Sequence, residues 1–199
     1  MKKYSVLFLL VFSLCCAQDK QTIQGETDWQ RKTNADFKDA SKSPLKDKDR
    51  KQFTGLEFYK FDSTYVVEAV LKRTPDTKWF NMKTTTNRLS KERVYGVLNF
   101  ELKGEPYQLK VYQGEELMQT EGFEDYLFLP FLDNTNGEGS YPGGRYIDLR
   151  IPEDDTLIID FNTAYNPYCA YNEKYSCPIV PRENYLDTKI EAGVKVFKK

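Results

Sequence analysis

Two stretches of this sequence concentrate residue types that can do chemistry. Residues 133–145, DNTNGEGSYPGGR, carry Asp133, Glu138 and Arg145. Residues 160–184, DFNTAYNPYCAYNEKYSCPIVPREN, carry Asp160, Glu183, four tyrosines and the pair Cys169 and Cys177. The carboxylates Asp133, Glu138, Asp160 and Glu183 could supply the acid and base of a glycan-acting hydrolase, which needs two carboxyl groups about 5–10 Å apart across a cleft. Asp133 and Glu138 could instead hold a hard cation such as Ca²⁺. The EF-hand pattern fails, however, because Thr135 and Gly137 stand where it places Asp or Asn. Arg145, with the backbone amides of 137–144, could grip an anion through its planar fork. The plain alternative is that Asp133 and Arg145 pair with each other or with backbone and pin the loop.

The chain contains no histidine. That removes Ser-His and Cys-His nucleophiles, histidine bases and every His-containing zinc or iron site. No cofactor or metal is expected. Cys169 and Cys177 have seven residues between them, which is not zinc spacing, and no further Cys or His completes a site. In an exported chain the expectation is a disulfide, worth roughly 2–3 kcal/mol by restricting the unfolded state. Tyr165, Tyr168, Tyr171 and Tyr175 are either core or the wall of a sugar- or peptide-binding surface.

Segments of this composition are too irregular to fold alone, so the flanking sequence must position them. Thr27 with Gln30 forms a capping box, and Trp29, Thr33, Phe37 and Ala40 share a face, predicting a helix over 28–40. Ser43-Pro44 signals a second, short helix before Phe53. Strands are expected at 65–71, 79–82, 94–102, 107–112, 127–132, 146–151, 157–161 and 189–197. Lys103-Gly104-Glu105 makes a hairpin turn, and 152–155 joins the sixth and seventh strands. The pattern predicts a mainly β domain, an antiparallel sandwich or barrel of about eight short strands behind an N-terminal helical segment.

Residues 1–17 have the three parts of an export signal: Lys2 and Lys3, an apolar run over 6–14, then small residues. That run is far shorter than the ~20 residues of a membrane-spanning helix. Ser13-Leu14 before Cys16 reads as a lipoprotein cleavage site with Cys16 lipidated, and cleavage after Ala17 is the alternative. Residues 18–27 form a polar tether, leaving 28–199 as one domain. The whole chain has 29 basic and 30 acidic residues, and loss of Lys2 and Lys3 leaves 27 against 30, a formal charge of −3. Such a balance gives no electrostatic case for nucleic acid.

The two motif segments together resemble a bacterial and archaeal family known as domain of unknown function 1684. The resemblance runs through Leu129-Pro130-Phe131, Asp133, Thr135, Gly137, Tyr141, Gly143-Gly144-Arg145-Tyr146 and Asp160-Phe161-Asn162. It continues through Ala164-Tyr165-Asn166-Pro167, Cys169-Ala170-Tyr171, Tyr175, Cys177-Pro178, Pro181, Glu183-Asn184, Leu186, Ile190 and Ala192-Gly193. Ser43-Pro44-Leu45 and Phe53-Thr54-Gly55-Leu56 fit the N-terminal part, so about residues 28–199 are covered. Ser140 replaces the usual Thr, and Val194 replaces an acidic residue, so a role for that carboxylate is absent. The resemblance brings no activity, but it implies that both segments belong to one site. Asp133, Thr135, Tyr141, Arg145, Asn162, Tyr165, Asn166, Glu183 and Asn184 are then the ligand-binding candidates. The expected function is a membrane-tethered, non-catalytic β domain of the cell envelope that binds a small molecule or envelope partner. A carboxylate hydrolase and a purely structural domain without a pocket are the alternatives.

Overall fold

The computed structural model describes residues 25–198. The expected export signal, Cys16 and most of the tether lie outside these residues. Helix α1 (Asp28–Lys38) starts where the sequence places it. The Thr27 side chain accepts from the Gln30 N–H at 3.2 Å, and the Gln30 side chain reaches back to the Thr27 backbone. The helix stops two residues earlier than expected because Asp39 turns to an extended conformation. Helix α2 (Asp47–Lys51) is capped at Lys46 and not at Ser43, whose hydroxyl instead accepts from the Leu45 N–H two residues on.

The strands are β1 (Val66–Arg73), β2 (Phe80–Lys83), β3 (Leu89–Leu102), β4 (Glu105–Gly114), β5 (Tyr126–Asp133), β6 (Arg145–Arg150), β7 (Thr156–Asp160) and β8 (Tyr185–Leu186). They form one sheet in the order β6-β5-β4-β3-β1-β7, with β2 added to β3 and the short β8 to β5. All pairings are antiparallel except that of β8. The sheet curls into a half-barrel. Lys103 and Gly104 both take positive φ, 54° and 83°, the two-residue turn whose twist matches a hairpin.

Residues 152–155 join β6 to β7 as expected, carrying the chain from one end of the sheet order to the other, where β7 pairs with β1. One strand expectation is corrected. Residues 189–197 are not a strand but an irregular segment laid across the inside of the curl. Gly193 there has φ 76°, and a Cβ on it would lie 2.4 Å from the Ala164 carbonyl oxygen.

The main core fills the inside of the curl with Leu98, Phe100, Leu109, Val111, Leu127, Leu129, Phe131, Ile147, Ile159 and Phe161, closed by Ile190 and Ala192. A second cluster packs Phe37 of α1 against Phe53, Leu45 and Tyr171. A third, on the opposite face of β2–β6, joins Met82, Tyr112, Phe128, Tyr146 and Val180. A bulge between Val94 and Gly96 lets β3 serve both faces. Leu98 and Phe100 point into the main core, whereas Val94, on the other side of the bulge, packs on the third cluster.

Candidate functional site

Residues 133–145 make a closed structural knot. Arg145 and Asp133 are paired at 2.7 Å with neither side chain exposed. Arg145 also donates to the Ile190 carbonyl at 2.8 Å and to the Ala192 carbonyl. Asp133 Oδ1 accepts from the Thr135 and Ile190 N–H groups at 2.7 and 3.2 Å. Thr135 shares its hydroxyl with Ser140 at 2.8 Å. Of the four carboxylates singled out in the sequence, Asp133 alone pairs with Arg145. Asp160 caps the turn after β7 by accepting from Asn162, and Glu183 pairs with Lys110 on the surface at 3.3 Å. Glu138 pairs with Lys189, also on the surface.

The asparagines of the second segment turn to backbone as well, although Asn166 Oδ1 has no partner among the described residues. Asn162 joins the 3-10 turn after β7 to Asp62, accepting its N–H at 3.1 Å and donating to its carbonyl at 3.0 Å. Asn166 donates to the Lys195 carbonyl at 2.9 Å. Asn184 accepts from the Lys110 N–H and donates to the Lys110 and Pro130 carbonyls, at 2.7 to 2.9 Å. It fills a seam where β4 and β5 share a single register pair, Tyr112 with Phe128. Pro130 has no N–H to offer β4, so an amide side chain completes the sheet.

Cys169 and Cys177 do come together, but as free thiols; the expected disulfide is corrected on this point. The Cys169 N–H donates to Cys177 Sγ at 3.2 Å. Hydrogen bonding from the Cys177 thiol lowers the Cys169 pKa to about 6, with help from the Thr85 and Tyr141 hydroxyls. The same bond pushes Cys177 up. Burial, with the neighbouring Cys169 next, raises Tyr141 to about 12.

A cavity of about 340 Å³ adjoins the knot at Thr135, Glu138 and Gly139, and the roomiest open space is on the opposite face of β2–β6. One cavity of about 670 Å³ is walled by Phe128, Tyr126, Tyr146 and Tyr165, with Glu92 and Ser90 on one side. Tyr146, Tyr165 and Pro178 also wall a second cavity, of about 420 Å³, that runs under α1 and is lined besides by Tyr168, Tyr171, Tyr175 and Cys177. Arg145 lines neither. Strand geometry explains the first cavity. Glu92 on β3 pairs with Gly114 on β4, and a Cβ at Gly114 would stand 3.2 Å from both carboxylate oxygens. Glycine therefore makes room for the carboxyl group. Phe128 and Tyr146 pack edge to face with centroids 4.7 Å apart. Tyr126 and Tyr165 both donate to Asp148 Oδ1, at 2.7 and 2.5 Å, and Tyr146 donates to the Pro178 carbonyl.

Glu92 is 5% exposed. Its Oε1 accepts from the Ser90 hydroxyl at 2.7 Å, while Oε2 has no hydrogen-bond partner among the described residues. Burial raises its pKa, opposed by the Ser90 hydrogen bond and Arg88. Burial also raises the phenols of Tyr126, Tyr146 and Tyr165, which remain neutral donors at physiological pH. Tyr112, fully buried behind Phe128, likewise has a hydroxyl with no partner among the described residues.

Of the residues nominated from sequence, only Tyr165 lines this cavity. Glu92, Tyr126, Phe128, Tyr146 and Asp148 were not nominated. A signal for Glu92 was present: Ser90, Glu92 and Val94 alternate, which places an acid on a packed face once the strand is extended back to Leu89.

Comparisons with known proteins agree with the segment resemblance. No curated protein matches the chain. The chain is similar to an uncharacterized protein from Haloarcula marismortui whose solution NMR structure is known, with 32% identity and a TM-score of 0.63. The match covers 84% of this chain and 94% of that one. A family model described as "Protein of unknown function (DUF1684)" matches residues 51–195, which span most of the half-barrel, the Arg145 knot and the aromatic cavity. The chain belongs to the DUF1684 family.

Proposed function

We propose that this protein is an exported, non-catalytic β domain, held at a membrane through lipid on Cys16, that binds a small ligand in the cavity beside Glu92. The observation that carries the binding reading is the Glu92 carboxyl, buried in an aromatic-walled cavity with Oε2 unanswered. An unsatisfied buried polar group costs about 1–3 kcal/mol, more when charged, and a ligand that satisfies it recovers that cost. The volume and mixed lining suit a small-molecule site. The tether reading rests on the apolar run ending at Cys16, since buried acyl chains contribute about 0.8 kcal/mol per CH₂.

A thermal-shift screen of the full-length protein tests binding. A ligand at a hundred times its Kd stabilises by about 2.7 kcal/mol. Thr120→Trp, an exposed position lining the cavity, should abolish the shift. A screen in which no compound raises Tm counts against the reading. For the tether, wild-type protein should fractionate with membranes and Cys16→Ala should not; equal release of both removes the anchor.

One observation favours a catalytic alternative at the same place. Burial raises the Glu92 pKa, and Asp148 holds the far side of Tyr126, so two carboxyl groups flank the aromatic wall as a hydrolase would need. Turnover of a glycan lost in Glu92→Gln would establish that reading in place of simple binding.

A further inference from the structure

The Glu92 cavity specifies a ligand class more narrowly than its size does, and the argument rests on the binding reading above. An ionised carboxylate can only accept hydrogen bonds, so Oε2 calls for a donor. The nearby cations give Oε2 no hydrogen bond, although Arg88 acts on Glu92 through its charge. Lys91 is paired with Glu115 at 2.7 Å, and Arg88 donates to the Ser176 carbonyl at 2.9 Å and to its hydroxyl at 3.2 Å. Glu116 adds a further negative charge to the lining. Tyr112 and Tyr126 face Glu92 from β4 and β5, and Asp148 lies beyond Tyr126, so none of these brings positive charge. An anionic ligand would meet three carboxylates, Glu92, Glu115 and Glu116, against two cations, Arg88 and Lys91. A quaternary ammonium group would bring charge but no N–H for Oε2.

The remaining walls, Phe128, Tyr146 and Tyr165, offer ring edges and faces to an apolar body and attract a cation placed over them. We propose that this cavity takes a small primary ammonium ligand with an apolar or aromatic body, its nitrogen donating to Glu92 Oε2 and its body against the aromatic wall.

Three probes of matched shape test the class: phenethylamine, 2-phenylethanol and 3-phenylpropionate, titrated calorimetrically into the full-length protein at pH 7.5. Phenethylamine should bind at least about tenfold more tightly than the alcohol, because it adds an opposite charge to a hydrogen bond that both can make, and the carboxylate should bind weakest. Glu92→Gln should weaken the amine by a similar factor and the alcohol by much less. Thr120→Trp should weaken amine and alcohol alike. If the alcohol or carboxylate matches the amine and Thr120→Trp removes their binding, the ammonium class is overturned and the cavity reading stands. If none of the three binds, both fall. Amine binding that ignores Glu92→Gln or Thr120→Trp places the amine elsewhere and also overturns the proposal. The three-probe comparison on the wild-type protein needs no variant to fold.

Discussion

Arg145→Met is the sharpest test of what the densest motif does. Methionine keeps an unbranched apolar stem of similar length beside the Phe131 ring, so the loss is polar rather than steric. The substitution strips Asp133 Oδ2 of its ion-pair partner and leaves the Ile190 and Ala192 carbonyls without their donor. Breaking one side of a buried pair costs about 3–5 kcal/mol, and each orphaned carbonyl adds about 1–3. Partial relaxation makes these overlap, and about 5 kcal/mol in total is expected. A domain has only about 5–15 kcal/mol to lose. Urea unfolding of the full-length protein, followed by circular dichroism, should show a midpoint about 2 M lower at an unchanged slope. Glu138→Gln is the matched control. It breaks an exposed pair with Lys189 in the same segment and should cost under about 1 kcal/mol. An Arg145→Met protein within about 1 kcal/mol of wild type would show that the knot does not hold the fold, and the structural reading of the motif would be abandoned.

Glu92→Gln should stabilise the ligand-free protein at neutral pH. The Glu92 pKa is raised in the folded state, so the folded protein holds its proton longer and wild-type stability falls as pH rises through the window between the unfolded and folded values. That fall should be absent from the variant in melts run from pH 4 to 8, and equal pH profiles would refute the burial argument. Cys169 should react with iodoacetamide with half-maximal rate near pH 6, against about 8.5 for an ordinary thiol, and Cys177→Ala should move it upward. An ordinary profile would rule out the thiol–thiolate hydrogen bond. Asn184→Ala should cost about 3 kcal/mol, as three buried hydrogen bonds across the β4–β5 seam are lost. A midpoint unchanged from wild type would mean the seam holds without it.

The fold was largely legible where information is local. The capping box at Thr27 and Gln30, the turn at Lys103-Gly104 and the period-two runs of β3 and β4 are written in neighbouring residues, and each stands in the structure. Strand order was not legible. That β7 pairs with β1, at the far end of the sheet order from β6, depends on long-range packing that no local pattern records. The site was obscured twice. Polar density at 133–145 and 160–184 resembles a binding surface, but Asp133, Arg145, Asn162 and Asn184 spend their hydrogen bonds on backbone inside the protein. Glu92 sits before the bulge that reverses the facing of β3, so reading the strand from Val94 onward misses the acid on the other face.

The placement of residues 190–194 has a consequence for how the chain comes to be folded as it is made. These residues are synthesised after all eight strands, yet they provide two of the carbonyls that hold Arg145 and close the core with Ile190 and Ala192. A nascent chain that has extruded every strand still carries a central guanidinium and carboxylate half solvated and an uncovered apolar trough. Domains commonly fold as units while the ribosome adds about 5–20 residues per second. This one has to wait for residues 190–194, so the sheet stays unlocked until that stretch has emerged.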